Sequence, residues 1–238
     1  MQLVSAIRAM WAAVVEPVRI PDVRTATALS MFAVAVLLVT AASTCFQYLE
    51  AQDATLARHA EALATRLGAP EQPTTTTEGV DLSSPQRAFT AILGITLLRE
   101  VVSMVAMAGV LLGLMRFMTN ADLGFGAAIS SVAATAFIQI LGAGVTTLFH
   151  LITHDMRWGL HAGIFIEPMS SPFLFAFLQR VDVAALWQYV AAAVGMASWA
   201  GLDRRYGIIV GTVSWATILI VVFGGMSLLS WIMSTSVR

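Results

Sequence analysis

The sequence predicts an all-α integral membrane protein, a helical bundle of five transmembrane helices preceded by a short interfacial helix at the N-terminus. The first observation is composition: of 238 residues, 58% are hydrophobic and 11% are charged, whereas soluble domains carry about 25% charged residues. The second is a series of uncharged apolar runs, most of them near or above the roughly 20 residues that cross a bilayer as a helix. The third is that the alternation of apolar and polar residues typical of transmembrane strands is absent.

Residues 1–24 are predicted to form a cytoplasmic tail with a helix that lies on the membrane surface. Apolar side chains recur at helical spacing between Leu3 and Val15, and Arg8 falls on another face. Pro17 stops this helix. The apolar stretch is very short and ends close to that proline, which argues against a cleaved signal peptide.

The rest of the chain, residues 25–238, is predicted to be the membrane domain. Its apolar segments give five spans, at about 25–49, 98–118, 123–150, 182–202 and 206–234. The second span either includes Arg99 and Glu100 or begins just after them, because Phe89–Leu98 is also apolar. At the interface this ion pair would cost little, whereas within the membrane it would be a buried pair or a substrate contact.

The density of arginine predicts the orientation. The N-terminal tail with segments 116–122 and 203–205 holds six arginines in 34 residues, and the opposite side holds six in 80. The N-terminus is therefore predicted to be cytoplasmic and the C-terminus external. On the external side lie a linker, 50–97, and a loop, 154–181, whose aromatic residues suit the membrane interface.

Charge and cysteine content exclude several classes of protein. The net charge is −1 and all 13 basic residues are arginine, so no strongly basic face suggests a nucleic-acid partner. The single cysteine, Cys45, can form neither an internal disulfide nor a zinc framework. Motifs for a phosphate loop or a nucleophile elbow are absent. No cofactor is expected.

The best candidate for a metal site is a histidine cluster near the end of the third span. His150 and His154 are four residues apart and are predicted to share a helix face, with His161 as a third ligand. Asp155 and Glu167 are further possible ligands. The metalloprotease motif is absent, since leucine follows His150. The alternative is that these histidines form ordinary hydrogen bonds at the membrane boundary.

Small and polar residues within the spans predict helix packing. Gly109 with Gly113, and Gly207 with Gly211, have the GxxxG spacing that allows helices to approach closely. A partner helix docking on these glycines is the alternative. Gln139, in the middle of the third span, either bonds another helix or lines a path through the membrane.

At the start of the fourth span, Asp182 is predicted to cap the helix, or else to order the loop through Arg157 or Arg180.

The segment from Leu178 to Val222 resembles the bacterial branch of the Yip-domain (Ypt-interacting-protein) family of multi-pass membrane proteins. In that family an acidic or amide residue and a tryptophan precede a glycine-containing span, a basic turn and a final span. The matching positions are Asp182, Trp187, Gly195, Gly201, Arg204 and Arg205.

This resemblance implies five spans with a cytoplasmic N-terminus, in a bacterial inner membrane. Eukaryotic members of the family recruit small GTPases, and some bacterial members lie beside ABC-type exporters. The chain is therefore expected to be a non-enzymatic scaffold, assembly factor or accessory subunit, with the lipid bilayer and another membrane protein or a second copy as partners.

Two other functions remain open. The first is a small transporter or channel for a metal ion or small solute, which needs polar groups converging in the middle of the membrane. The second is an intramembrane enzyme that uses the histidine cluster.

Overall fold

The computed structural model describes residues 25–66 and 85–236, and all the regular elements in these two segments are helices. The predicted interfacial helix and residues 67–84 of the predicted linker lie outside the described residues. Seven α-helices follow one another, with a 3-10 turn at Ala162–Phe165 between the fourth and fifth: α1 Thr25–Gln52, α2 Ala54–Arg66, α3 Pro85–Thr119, α4 Phe125–Thr153, α5 Pro172–Arg180, α6 Val183–Trp199 and α7 Arg204–Ser236.

Four of these helices are long and apolar enough to cross a membrane. Their candidate spans are Ala28–Gln52, Leu93–Thr119, Phe125–Thr153 and Arg204–Val221. The chain is therefore an all-α protein of the multi-pass membrane type. Helix α6 is a shorter apolar helix of 17 residues, so the fifth span stays a prediction.

Helix α3 begins well before the predicted second span. It starts at Pro85, and its candidate span, Leu93–Thr119, contains both Arg99 and Glu100. The helix therefore continues through this pair, while the point at which it enters the membrane stays a prediction. The reason is that the preceding residues are apolar, and proline at the first position of a helix is well tolerated.

The bundle is arranged around α4, which packs against α1, α3 and α6, while α7 packs against α6 and α3. The apolar core lies in one half of the bundle, where α3 turns into α4 and α6 turns into α7. Its fully buried side chains include Val39, Leu111, Met115, Val132, Met196 and Val210. The opposite half, where α1 and α4 end, is called the Glu50 end from here on. Polar side chains face its interior beside apolar ones.

The two GxxxG pairs have opposite environments. A Cβ atom added at Gly207 would lie 2.5 Å from the Val194 Cα, and one at Gly211 would lie 2.6 Å from the Val190 Cα. These glycines therefore allow α7 to lie directly against the backbone of α6. By contrast, a Cβ added at Gly109 or Gly113 would meet no described atom within 4 Å.

Candidate functional site

A cavity of about 680 Å³ lies at the Glu50 end, between α1, α3, α4, α6 and α7. The apolar side chains in its wall are Phe46, Met104, Met107, Tyr189, Trp215, Ile218 and Leu219. The polar side chains in its wall include Glu50, Arg99, Gln139, Thr147, His150, His161, Arg180, Asp182 and Gln188. Below the cavity the helices close on the apolar core.

Glu100 lies behind the deep part of the cavity wall and is almost fully buried, with 2% of its surface exposed. Both of its carboxylate oxygens accept hydrogen bonds: Oε1 from Arg99 Nη2 at 2.7 Å, and Oε2 from Gln139 Nε2 at 2.9 Å. A buried charge needs partners of this kind. Arg99 and Gln139 line the cavity themselves. Gln139 thus bonds another helix and also faces the cavity.

Nearer the cavity mouth, Glu50 on α1 is joined to α4. Its Oε1 accepts hydrogen bonds from Thr147 Oγ1 and from His150 Nδ1, both at 2.9 Å. Thr147 and His150 are three residues apart and so share a helix face. Because a carboxylate only accepts, His150 carries its proton on Nδ1. The Nε2 atom of His150 is buried without a hydrogen-bond partner in the described chain.

His161 lies in the loop above the cavity and is 6% exposed. Cβ atoms added at Gly159 and Gly163 would each lie 2.8 Å from its ring, so the ring packs closely against both glycines and would have to shift for any larger residue. Among the described residues neither ring nitrogen has a hydrogen-bond partner. Burial lowers the pKa of His161 below its ordinary value of 6.5, since it disfavours the charged form. The imidazole is therefore neutral at neutral pH.

Gln188 lies on α6 and interrupts an apolar helix. The residues around it form no motif, so the sequence gives no reason to assign it a role. It is 6% exposed and lines the cavity. Its amide forms no hydrogen bond with any described residue and is not among the fully enclosed polar atoms. The amide therefore faces the open space of the cavity.

The predicted histidine cluster does not form. Helix α4 ends at Thr153, and His154 has a left-handed backbone, with φ of 51°. This turn directs His154 away from His150 and toward Asp53, whose Oδ2 lies 2.6 Å from His154 Nδ1. Within residues 25–66 and 85–236, no group of three or more His, Cys, Asp or Glu side chains is placed to hold a metal ion.

The other two proposed metal ligands hold an arginine instead. Arg157 Nε donates to Asp155 Oδ2 at 2.8 Å, and its Nη1 donates to Glu167 Oε2 at 3.1 Å. The bond to Asp155 raises the pKa of the Arg157 guanidinium. This arrangement orders the loop after α4, and Asp182 takes no part in it.

The residues that carry the family resemblance have mainly structural roles. Asp182 caps α6, because its Oδ1 accepts from Ala185 N at 2.8 Å. Gly201 has φ of 67° and ends the α6 turn. Arg204 and Arg205 begin α7, where Arg205 lies over the Tyr206 ring. Trp187 is partly exposed and Gly195 is on the buried face of α6.

No protein-family model, no curated protein and no solved structure matches this chain. The fold is that of a helical membrane protein of the multi-pass type, and its cavity is lined by both polar and apolar side chains. The resemblance to the Yip-domain family stays a prediction based on the residues named above.

Proposed function

We propose that this chain binds a small organic solute in its internal cavity and carries it across the membrane. The observation that supports this most is Gln188, a buried amide that faces the cavity without a partner. Buried polar groups in folded proteins are nearly always hydrogen-bonded to protein or to ordered water. This amide therefore offers a donor and an acceptor to a solute that takes the place of water in the cavity.

The position of the polar groups supports a carrier over an open pore. Arg99 and Gln139 line the cavity at the level of Glu100, inside two candidate spans. Ionisable groups at such depth in membrane proteins commonly mark substrate pathways. The other half of the bundle is closed by packed side chains such as Leu111, Met115 and Met196. The cavity therefore reaches only part of the way through the bundle, as in one state of a carrier.

Blocking the cavity tests the proposal. Three phenyl compounds of similar size serve as probes: 2-phenylethylammonium, 2-phenylethanol and 3-phenylpropanoate. Ser103 is exposed and lines the cavity, so Ser103→Trp places an indole inside it. Ala106 is exposed on the same helix but does not line the cavity, so Ala106→Trp is the matched control. Binding is measured by calorimetry in lipid nanodiscs, and movement by release from proteoliposomes.

We expect at least one probe to bind, Ser103→Trp to abolish its binding and release, and Ala106→Trp to leave both unchanged. Equal binding by the two tryptophan variants would show that the probes bind elsewhere, and no binding of any probe would contradict the proposal. Binding without release would assign the cavity to a receptor rather than a carrier.

A second candidate function, association with another membrane protein or a second copy, is favoured by the open face of α3. Gly109 and Gly113 have free space above them, and Val102 and Val105 beside them are exposed. Such a face suits a scaffold, an assembly factor or an accessory subunit of a larger membrane complex such as an ABC-type exporter. The double substitution Gly109→Ile with Gly113→Ile should reduce the size of the native complex. Gly94→Ile, at another open position on α3, is the control.

A further inference from the structure

We infer that the solute is an amphipathic organic cation, an ammonium group attached to an apolar body, and that Glu50 is its charge partner. This inference rests on the proposed function, because it names the class of solute that the same cavity takes. It depends on the balance of charge in the wall, on free acceptor atoms near the mouth, and on the apolar side chains of the wall.

The charge balance favours a cation. Arg99 faces the cavity, but its charge is matched by Glu100, which lies directly behind it and accepts its hydrogen bond. Of the remaining charged groups in the wall, Glu50 and Asp182 are carboxylates and only Arg180 is cationic. Counted with Glu100, the three carboxylates therefore outnumber the two arginines by one, and an ammonium group would balance this excess.

Free acceptors near the mouth match the donors of an ammonium group. The Oε1 atom of Glu50 accepts from Thr147 and His150, but its Oε2 has no hydrogen-bond partner in the described residues. Glu50 lines the cavity and its side chain is 30% exposed, so a solute in the cavity can reach this oxygen. A primary ammonium has three donors and no acceptor, and its bond to a carboxylate is of the strong, charge-assisted kind.

Gln188 provides a second, independent acceptor. Its buried amide faces the cavity and its carbonyl oxygen is unpaired in the described part of the chain. An anionic solute could pair with Arg180, but it would also meet the carboxylates of Glu50 and Asp182 in the wall, and like charges brought together in this way disfavour binding.

The apolar side chains of the cavity wall suit the apolar body of the solute. They are aromatic and long aliphatic side chains, among them Phe46, Tyr189 and Trp215. Burial of a phenyl group against them is favourable in proportion to the area removed from water. Aromatic faces also attract cations, so these side chains do not disfavour the charged end.

The experiment is calorimetry on the full chain in nanodiscs of zwitterionic lipid, with the three phenyl probes. We expect 2-phenylethylammonium to bind at least tenfold more tightly than 2-phenylethanol or 3-phenylpropanoate. Glu50→Gln keeps the shape of the side chain and an acceptor for Thr147 and His150. It should weaken binding of the cation about tenfold, which corresponds to about 1.4 kcal/mol, and change binding of the alcohol less than twofold.

Glu61→Gln, an exposed change on α2, is the control and should leave all affinities unchanged. If the alcohol or the carboxylate binds as tightly as the cation, and Ser103→Trp removes that binding, the solute class is wrong and the proposed function stands. If none of the probes binds, the proposed function fails, and the cation inference fails with it. If Glu50→Gln does not fold, the preference of the unmodified chain among the three probes decides whether the solute is a cation.

Discussion

Glu50 and His150 are 100 residues apart in the chain, yet the Glu50 Oε1 atom lies 2.9 Å from the His150 Nδ1 atom. This contact holds the ends of α1 and α4 together beside the cavity, and Thr147 donates to the same oxygen. The shared oxygen leaves Oε2 free for a ligand. One carboxylate therefore has two roles, as a structural link and as a part of the cavity wall.

The structural role of Glu50 predicts different effects for two substitutions. Glu50→Ala removes the acceptor of Thr147 and His150, which are both buried. An unpaired buried polar group costs about 1–3 kcal/mol, so Glu50→Ala should lower the melting temperature in detergent. Glu50→Gln keeps an acceptor and should lower it much less. Equal melting temperatures for the two variants would contradict the role of this link.

Arg99 and Glu100 should behave as a unit. Arg99→Met leaves the buried Glu100 carboxylate with Gln139 as its partner, and breaking a buried ion pair costs about 3–5 kcal/mol. The Arg99 side chain is 56% exposed, so we expect a loss of about 2 kcal/mol. The double substitution Arg99→Met with Glu100→Met removes both charges and should be more stable than Arg99→Met alone. The comparison is made by denaturant unfolding, and a double variant less stable than the single one would overturn it.

The two GxxxG pairs predict opposite results for the same substitution. Gly207→Ile or Gly211→Ile would drive a side chain into the backbone of α6, at 2.5 Å from the Val194 Cα in the first case. Backbone cannot move aside as a flexible side chain does, so we expect a loss of about 3 kcal/mol or more and poor recovery of folded protein. Gly109→Ile meets open space and should leave folding intact. Size-exclusion profiles of the three variants compare the outcomes.

These glycines also show which parts of the structure the sequence could predict. The apolar runs of α1, α4 and α7 are visible in the sequence because bilayer thickness sets their length. The spacing of glycines is equally visible, but both pairs have the same spacing and only one is packed. The difference depends on which faces of α3 and α7 meet another helix, and one sequence does not contain that information.

The cavity was harder to predict for the same reason. Gln139 was expected to bond another helix or line a path, but its partner Glu100 is 39 residues away. Glu50 is separated from its partner by an even longer segment, and neither Glu50 nor Gln188 belongs to a motif. The sequence predicts His154 on the same helix face as His150. This prediction is wrong because α4 ends at Thr153 and His154 itself has a left-handed conformation, which breaks the helical spacing.

His161 predicts a loss of stability on acidification. Burial lowers its pKa below 6.5 in the folded loop, so the unfolded loop binds a proton more readily than the folded one. Stability therefore rises with pH in this range, and it falls as the pH is lowered through about 6.5. The intrinsic rate of amide hydrogen exchange falls as the pH is lowered, so the measurement is the protection factor, which corrects for it. Protection factors of residues 159–166 should fall between pH 7 and pH 5.5. His161→Phe, which cannot be protonated, should remove this dependence. His59 is exposed on α2, so His59→Gln should not change it. Unchanged protection factors across this pH range in the unmodified chain would show that the ring is protonated without loss of packing.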